Sequence, residues 1–268
     1  MTAADTPQSA SILAEIEACQ ARARTIFRLK SGATWLALIV IVLVGLYATG
    51  NIDTAFIGLW GPFIIGGAGL TVLVSAVSIF FATILALVGA VGRLSRNPYL
   101  SGVAGLYVAL FRGTPLIVQI YFVYLALPQV GIVLPAIPSG IIALSLNYGA
   151  YMTEIFRAGI QAVPQGQREA AESLGMSERL VMRRIVLPQA FRIVIPAIGN
   201  DFVAMLKDSS LVSILAVEEL LFRAQLVGRQ NFRSLETLII AAAIYWILTL
   251  TFSFFQERLE RRMARGDR

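Results

Sequence analysis

From position 54 to position 92 the chain runs without one charged side chain. A helix needs only ~20 apolar residues, at ~1.5 Å rise each, to cross the hydrocarbon core of a bilayer. This stretch is far longer, and Pro62 and the run Gly66-Gly67-Ala68-Gly69 interrupt it. It therefore reads as an interfacial helix over 54–64 followed by a membrane span over 68–91. The whole chain leans the same way: 57% of it is hydrophobic, 14% is charged, and its mean hydropathy is +0.75. A soluble domain carries about 25% charged residues. The class that follows is an all-α integral membrane protein.

Five further blocks complete a six-span plan. The first, over 31–52, centres on TWLALIVIVLVGLYATG. A second block, 99–127, holds Arg112 and Pro115, and Pro128, Pro135 and Pro138 then mark a turn. Spans follow over 139–160, 193–215 and 237–256. An even number of spans puts both termini on one side. Seventeen basic residues lie in the segments of that side, against Arg223, Arg229 and Arg233 on the other. The positive-inside rule makes the former side cytoplasmic. Arg112 leaves one choice open. If it sits at a membrane face, 99–111 is a cytoplasmic surface helix, with no change in topology. The first apolar run begins only at Ala33, too late for a secretory signal. Residues 1–32 thus read as a retained cytoplasmic extension, partly helical over 12–29.

Composition also excludes chemistries. There is no histidine and one cysteine, Cys19. Zinc sites, His-ligated haem, a Ser-His-Asp triad and an internal disulfide all lack residues. No metal site is expected. The two lysines, Lys30 and Lys207, follow no GxxxxG loop, so the chain has no Walker A motif. The net charge of +6 comes from bases flanking apolar runs, which calls for no nucleic acid.

The longest polar segment between spans reads VPQGQREAAESLGMSERLVMRRIVLPQAF. Pro164 and Gly166 open a helix containing Glu169, Ala170 and Ala171. Gly175 suits a left-handed C-cap, Ser177 can N-cap a second helix, and Pro188 ends or kinks it. The product is a helix–turn–helix on the cytoplasmic face. It is either a plain connector or a surface that another protein approaches closely over its alanines.

Glu169-Ala170-Ala171, then Gly175, then Ile185 and Leu187-Pro188 resembles the EAA loop of ATP-binding-cassette (ABC) importer permeases. Three more segments resemble the polar-amino-acid branch of that family. They are Phe111-Arg112-Gly113-Thr114-Pro115 with Gln119, Tyr148-Gly149-Ala150-Tyr151 with Glu154 to Arg157, and Lys207-Asp208-Ser209-Ser210. The resemblance implies the type I importer permease fold over 66–257, an extra transmembrane helix over 33–50, and a basic cytoplasmic tail over 258–268. It implies a non-catalytic subunit of the bacterial inner membrane, with lipid around it, that imports a polar L-amino acid. It further implies two copies of a separate ATPase subunit, which use the ATP and magnesium, with no cofactor on this chain. A second permease subunit, identical or homologous, and an extracytoplasmic amino-acid-binding protein complete the assembly. Glu169, Ala170, Ala171, Gly175, Leu187 and Pro188 become the coupling residues. A secondary transporter or channel would instead show matching broken helices in two halves, and none are visible.

Charged side chains within spans face cavities or pair with one another. Asn147, Tyr151 and Glu154 share one helical face at i, i+4 and i+7, and Asp201 and Asp208 share another. With Arg112, Thr114, Gln119 and Lys207 they are the candidates for a substrate path. Arg112 suits a substrate carboxylate and Glu154 an ammonium group. The competing reading makes these charges interhelical locks. Small residues over 140–159 and at 241–243 are expected at close helix contacts, including those with a second permease.

Overall fold

The computed structural model describes residues 7–48 and 52–264, and the elements among them are helical. The first six residues of the N-terminal extension, the end of the first span at 49–50 and the last four residues of the tail lie outside them. The chain divides after Thr54 into two units. The first unit holds helix α1, Pro7–Ala48, which joins the polar extension and the first apolar run without a break. Its side chains at Trp35, Leu36, Ile41 and Val44 are exposed.

In the second unit, α2 (Thr54–Ile65) and α3 (Ala68–Leu94) follow one another across Gly66-Gly67. Together they make one 41-residue apolar stretch, Thr54–Leu94. At ~1.5 Å per residue it is about 60 Å long. The helix expected over 54–64 is α2, set off from α3 at Gly66-Gly67. Gly66 N–H donates to Pro62 at the end of α2, and Thr71 N–H donates to Gly67 at the start of α3.

The third block does break. Helix α4 (Pro98–Gly113) and the next helical segment, Leu116–Val130, meet at 107°. Thr114 and Pro115 are extended at the bend, where a proline cannot donate the next helical bond. That segment is α5 (Leu116–Tyr121) followed by a π turn and a 3₁₀ turn. Next come α6 (Ala136–Gln161), α7 (Gln165–Ser173) and α8 (Glu178–Val181), and a second π turn leads into α9 (Leu187–Asp208). The chain passes through Pro188 in the first turn of α9, where the missing N–H has no helical partner to lose, so Pro188 does not end the helix. A 3₁₀ turn over Ser209–Leu215, α10 (Leu220–Asn231) and α11 (Ser234–Ala264) complete the unit.

Among the described residues three stretches are long and apolar enough to cross a membrane, Ala18–Val42, Thr54–Leu94 and Ser234–Met263, with the bent pair at 98–130 as a fourth. Helices α6 and α9 have the length, but their polar side chains lower their hydropathy. Those side chains have their own place in the fold, described below.

The core explains the small residues. Ala82, Ala86 and Ala90 of α3 pack against Ala143, Tyr148, Met152 and Phe156 of α6. A Cβ on Gly149 would lie 2.6 Å from the Tyr107 hydroxyl and 2.9 Å from Leu85, and one on Gly89 would strike Thr153. Without a hydrophobic drive between helices in lipid, close backbone approach supplies the van der Waals contact. The small residues of α6 thus serve packing within this chain. A second cluster joins Ile64, Leu220, Ala224, Val227, Ile240 and Ala241.

Candidate functional site

Two places carry chemistry. The first is the loop between α6 and α9. Helix α7 closes on Gly175, whose φ of +80° is the left-handed conformation expected of a helix C-cap. Gly175 N–H donates to Glu172 and Met176 N–H to Ala171, the paired bonds of a Schellman motif. Ser177 occupies the N-cap of α8, but its hydroxyl makes no capping bond. Arg168 Nη2 donates to the Ile160 carbonyl at 2.6 Å, and Gln189 Nε2 to Gln167 Oε1 at 2.6 Å. These bonds tie α7 to the end of α6 and the start of α9, so the loop moves with both helices.

Within the loop, Glu169, Ala170 and Gly175 are exposed, as is Pro188, while Leu187 is half-buried. Ala171 is not at the surface. It packs with Val163, Val181 and Val186 in a small core under the loop. Leu174, an apolar side chain 84% exposed beside Gly175, was not singled out by the sequence reading. Its neighbour to the glycine cap was the available signal.

The second place is an open cavity of about 650 Å³ lined by the α4–α5 bend, α6 and α9. Arg112, Thr114, Asn147, Tyr151, Glu154, Asp201 and Asp208 line it, together with Tyr148. Two of the nine candidates do not. Gln119 is buried behind the wall, and Lys207 is exposed outside it.

The bend builds this site. Breaking a helix strands backbone carbonyls. The Gln119 amide donates to the carbonyls of Phe111 (2.8 Å) and Thr114 (3.0 Å), and to the Thr114 hydroxyl at 2.8 Å. Asn147 Nδ2 donates to the Phe111 carbonyl and to Gln119 Oε1, both at 3.2 Å. These two amides fix the turn that carries Arg112. The Arg112 guanidinium lies over the Tyr151 ring, 5.2 Å from its centroid. Among the described residues no carboxylate pairs with it.

The three acids differ. Glu154 is held on both oxygens: Arg93 Nε donates to Oε1 at 3.3 Å, and Arg157 Nε and Nη2 to Oε2 at 2.9 and 2.7 Å. Asp208 Oδ2 accepts from the Tyr148 hydroxyl at 2.7 Å. Asp201 has one buried carboxylate oxygen with no donor. A buried acceptor left unpaired is rare in native structures and calls for an explanation. Among the described residues no cluster suited to a metal ion forms.

Long apolar helices, a polar cavity between them and a helix–turn–helix loop together define a membrane transport component. The family model for the binding-protein-dependent transport system inner membrane component matches residues 78–265, and the chain belongs to that family. It is 42% identical over 205 residues to the L-cystine transport system permease protein TcyB of Bacillus subtilis, covering 76% of this chain and 88% of that one. It is 37% identical over 207 residues to the arginine transport system permease protein ArtQ of the same organism, covering 77% and 94%. Among solved structures, an amino acid ABC transporter crystallised with histidines superposes with a TM-score of 0.76 at 39% identity, over 79% of this chain and 99% of that one. The MetNI methionine ABC transporter, at 18% identity and TM-score 0.61, shares the fold.

Proposed function

We propose that this chain is the transmembrane permease subunit of an ATP-driven importer of a polar L-amino acid, and that the 650 Å³ cavity is its substrate site. The carrying observation is the pair of unmatched charges in one cavity: Arg112 without a carboxylate partner and Asp201 with a buried oxygen lacking a donor. A zwitterion supplies both counterparts. Arg112 takes the carboxylate through two hydrogen bonds, and Asp201 takes the ammonium group. Glu154, the anion favoured from sequence for the ammonium, is already engaged by Arg93 and Arg157. It acts as the interhelical lock of the competing reading, tying α3 to α6.

On this reading two copies of an ATPase subunit seat the loop around Glu169, Ala170, Leu174 and Gly175. Closing of the ATPase pair then rocks α6 and α9 through the bonds of Arg168 and Gln189. A second permease subunit and an extracytoplasmic binding protein complete the assembly. The termini face the cytoplasm, as the basic asymmetry requires. A secondary transporter or channel is disfavoured by the family to which the chain belongs.

The test is ATP-dependent uptake of labelled polar amino acids by the whole complex in proteoliposomes. Arg112→Gln should cut uptake by about tenfold or more, the loss of one charge-assisted pair. Arg96→Gln, which removes an exposed ion pair outside the cavity, should leave uptake near wild type. Unchanged uptake in Arg112→Gln would refute the assignment.

A further inference from the structure

We propose that a groove between α3 and α6, on the side of α6 turned away from the cavity, holds one acyl chain of a membrane phospholipid. The groove is open and has a volume of about 470 Å³. It runs from Val77 to Leu85 on α3 and from Pro138 to Leu146 on α6. At ~100° per residue, Ser145 in the groove points about 160° away from Asn147 in the cavity. A second permease subunit that met this chain over the cavity would leave the groove uncovered. Nothing in the assignment depends on what the cavity carries.

The chemistry of the lining selects the occupant. Ser145 is the one polar side chain in it. Its hydroxyl is engaged at the floor by the carbonyls of Ile141, at 2.6 Å, and of Ser78, at 3.2 Å. The groove therefore offers an occupant no donor. Phe81, Ile84 and Ile142 line it and are exposed. Water does not settle where it lacks polar partners, and a hydrocarbon chain needs none.

Depth and length agree with a chain. Helix α3 belongs to the apolar stretch Thr54–Leu94, so the groove lies at the level of the hydrocarbon. From Val77 to Leu85 it is about 12 Å long, against roughly 15 Å for the hydrocarbon of one leaflet. At the Leu85–Leu146 end stands Tyr107 of α4, whose hydroxyl donates to the Leu146 carbonyl at 2.8 Å. The methyl end of the chain lies there, and its ester end lies beyond Pro138. A chain so placed supplies the van der Waals contact that Phe81, Ile84 and Ile142 otherwise lack. Residues 130–138, which lead to the groove, carry no charge. The site thus reads the chain and not the headgroup.

The test uses the whole permease–ATPase complex in vesicles of phosphatidylethanolamine and phosphatidylglycerol, with a photoreactive diazirine midway along one acyl chain. Adducts on Val77–Leu85 and Pro138–Leu146 should be about fivefold denser than on Phe254 and Phe255, which are more exposed. The same density should appear whichever headgroup carries the probe. Ile142→Trp, which fills the groove, should cut the groove adducts by about fivefold and leave those at Phe254 and Phe255 unchanged. Ile142→Ala, which leaves the groove open, should keep them. Labelling that follows exposure, depends on one headgroup or persists in Ile142→Trp overturns the assignment. In a Cys19→Ser background, which removes the one native thiol, Ile142→Cys should give no disulfide-linked pair of permease chains. Such a pair would make the groove an interface between copies and overturn lipid as its occupant.

Discussion

Two carboxylates in this molecule sit deep among helices and meet opposite fates. Glu219, wholly buried at the start of α10, is surrounded by donors. The Tyr245 hydroxyl reaches it at 2.6 Å, the Thr71 hydroxyl at 3.2 Å and the Phe222 N–H at 2.7 Å. The knot joins α3, α10 and α11, and it forms because Gly67 lets the start of α10 at Leu220 come close. A Cβ there would lie 2.7 Å from the Leu220 nitrogen. Asp201 lies two turns from the end of α9, opens onto the cavity, and has an oxygen that no protein group reaches. A carboxylate whose acceptor sites the protein fills is part of the framework. One whose sites are left open is prepared for something that arrives. Glu154 belongs with Glu219 by this criterion, although it lines the same cavity as Asp201.

The largest effect expected from breaking this comparison is at the knot. Glu219→Ala strands three donors in a buried site, and should cost about 3 kcal/mol or more in stability. The reading is a lower melting temperature of the purified complex and a loss of assembled protein. If Glu219→Ala melts like wild type, saturation by donors does not mark a structural carboxylate. Gly175→Leu comes next, at about 1–2 kcal/mol for a side chain forced into the left-handed region. It should also lower the amino acid carried per ATP hydrolysed, because the loop that α7 closes would no longer seat. Normal coupling in Gly175→Leu would separate the loop from the transmission of force.

Glu154→Gln is smaller, because its partners Arg93 and Arg157 keep partial access to water. A part-exposed pair of this kind contributes about 1 kcal/mol. The variant should lower the amount of assembled complex and its uptake in step, with the apparent affinity for substrate unchanged. A selective loss of affinity would move Glu154 from the lock to the binding site.

Much of this was legible in the sequence. The periodicity that puts Asn147, Tyr151 and Glu154 on one face, and Asp201 and Asp208 on another, does bring all five to one cavity. The glycine at 175 declares its left-handed cap. What could not be read is tertiary. Arg93 and Glu154 are 61 residues apart, and Glu219 and Tyr245 meet only after α10 folds back along α11. Arg157, one turn from Glu154, was visible in the sequence as its i+3 partner, yet Glu154 still read as an ammonium ligand. Tyr148 stood within a motif that resembled the family, but its bond to Asp208 depends on the α6–α9 crossing. Composition marked the long spans. It also marked 139–160 and 193–215, which overlap α6 and α9, although the polar side chains that form the site lower their hydropathy.

The most direct measurement is a pair of readings on one variant, Asp201→Asn, in the reconstituted complex. The framework holds no bond to the buried oxygen of Asp201. Its removal as a charge should leave the melting temperature unchanged or raised, a surface-like effect within about 0.5 kcal/mol. Amino acid uptake should fall by at least tenfold, since the ammonium group would meet a neutral amide. Full uptake in Asp201→Asn, or a loss of stability approaching that of Glu219→Ala, would contradict the account.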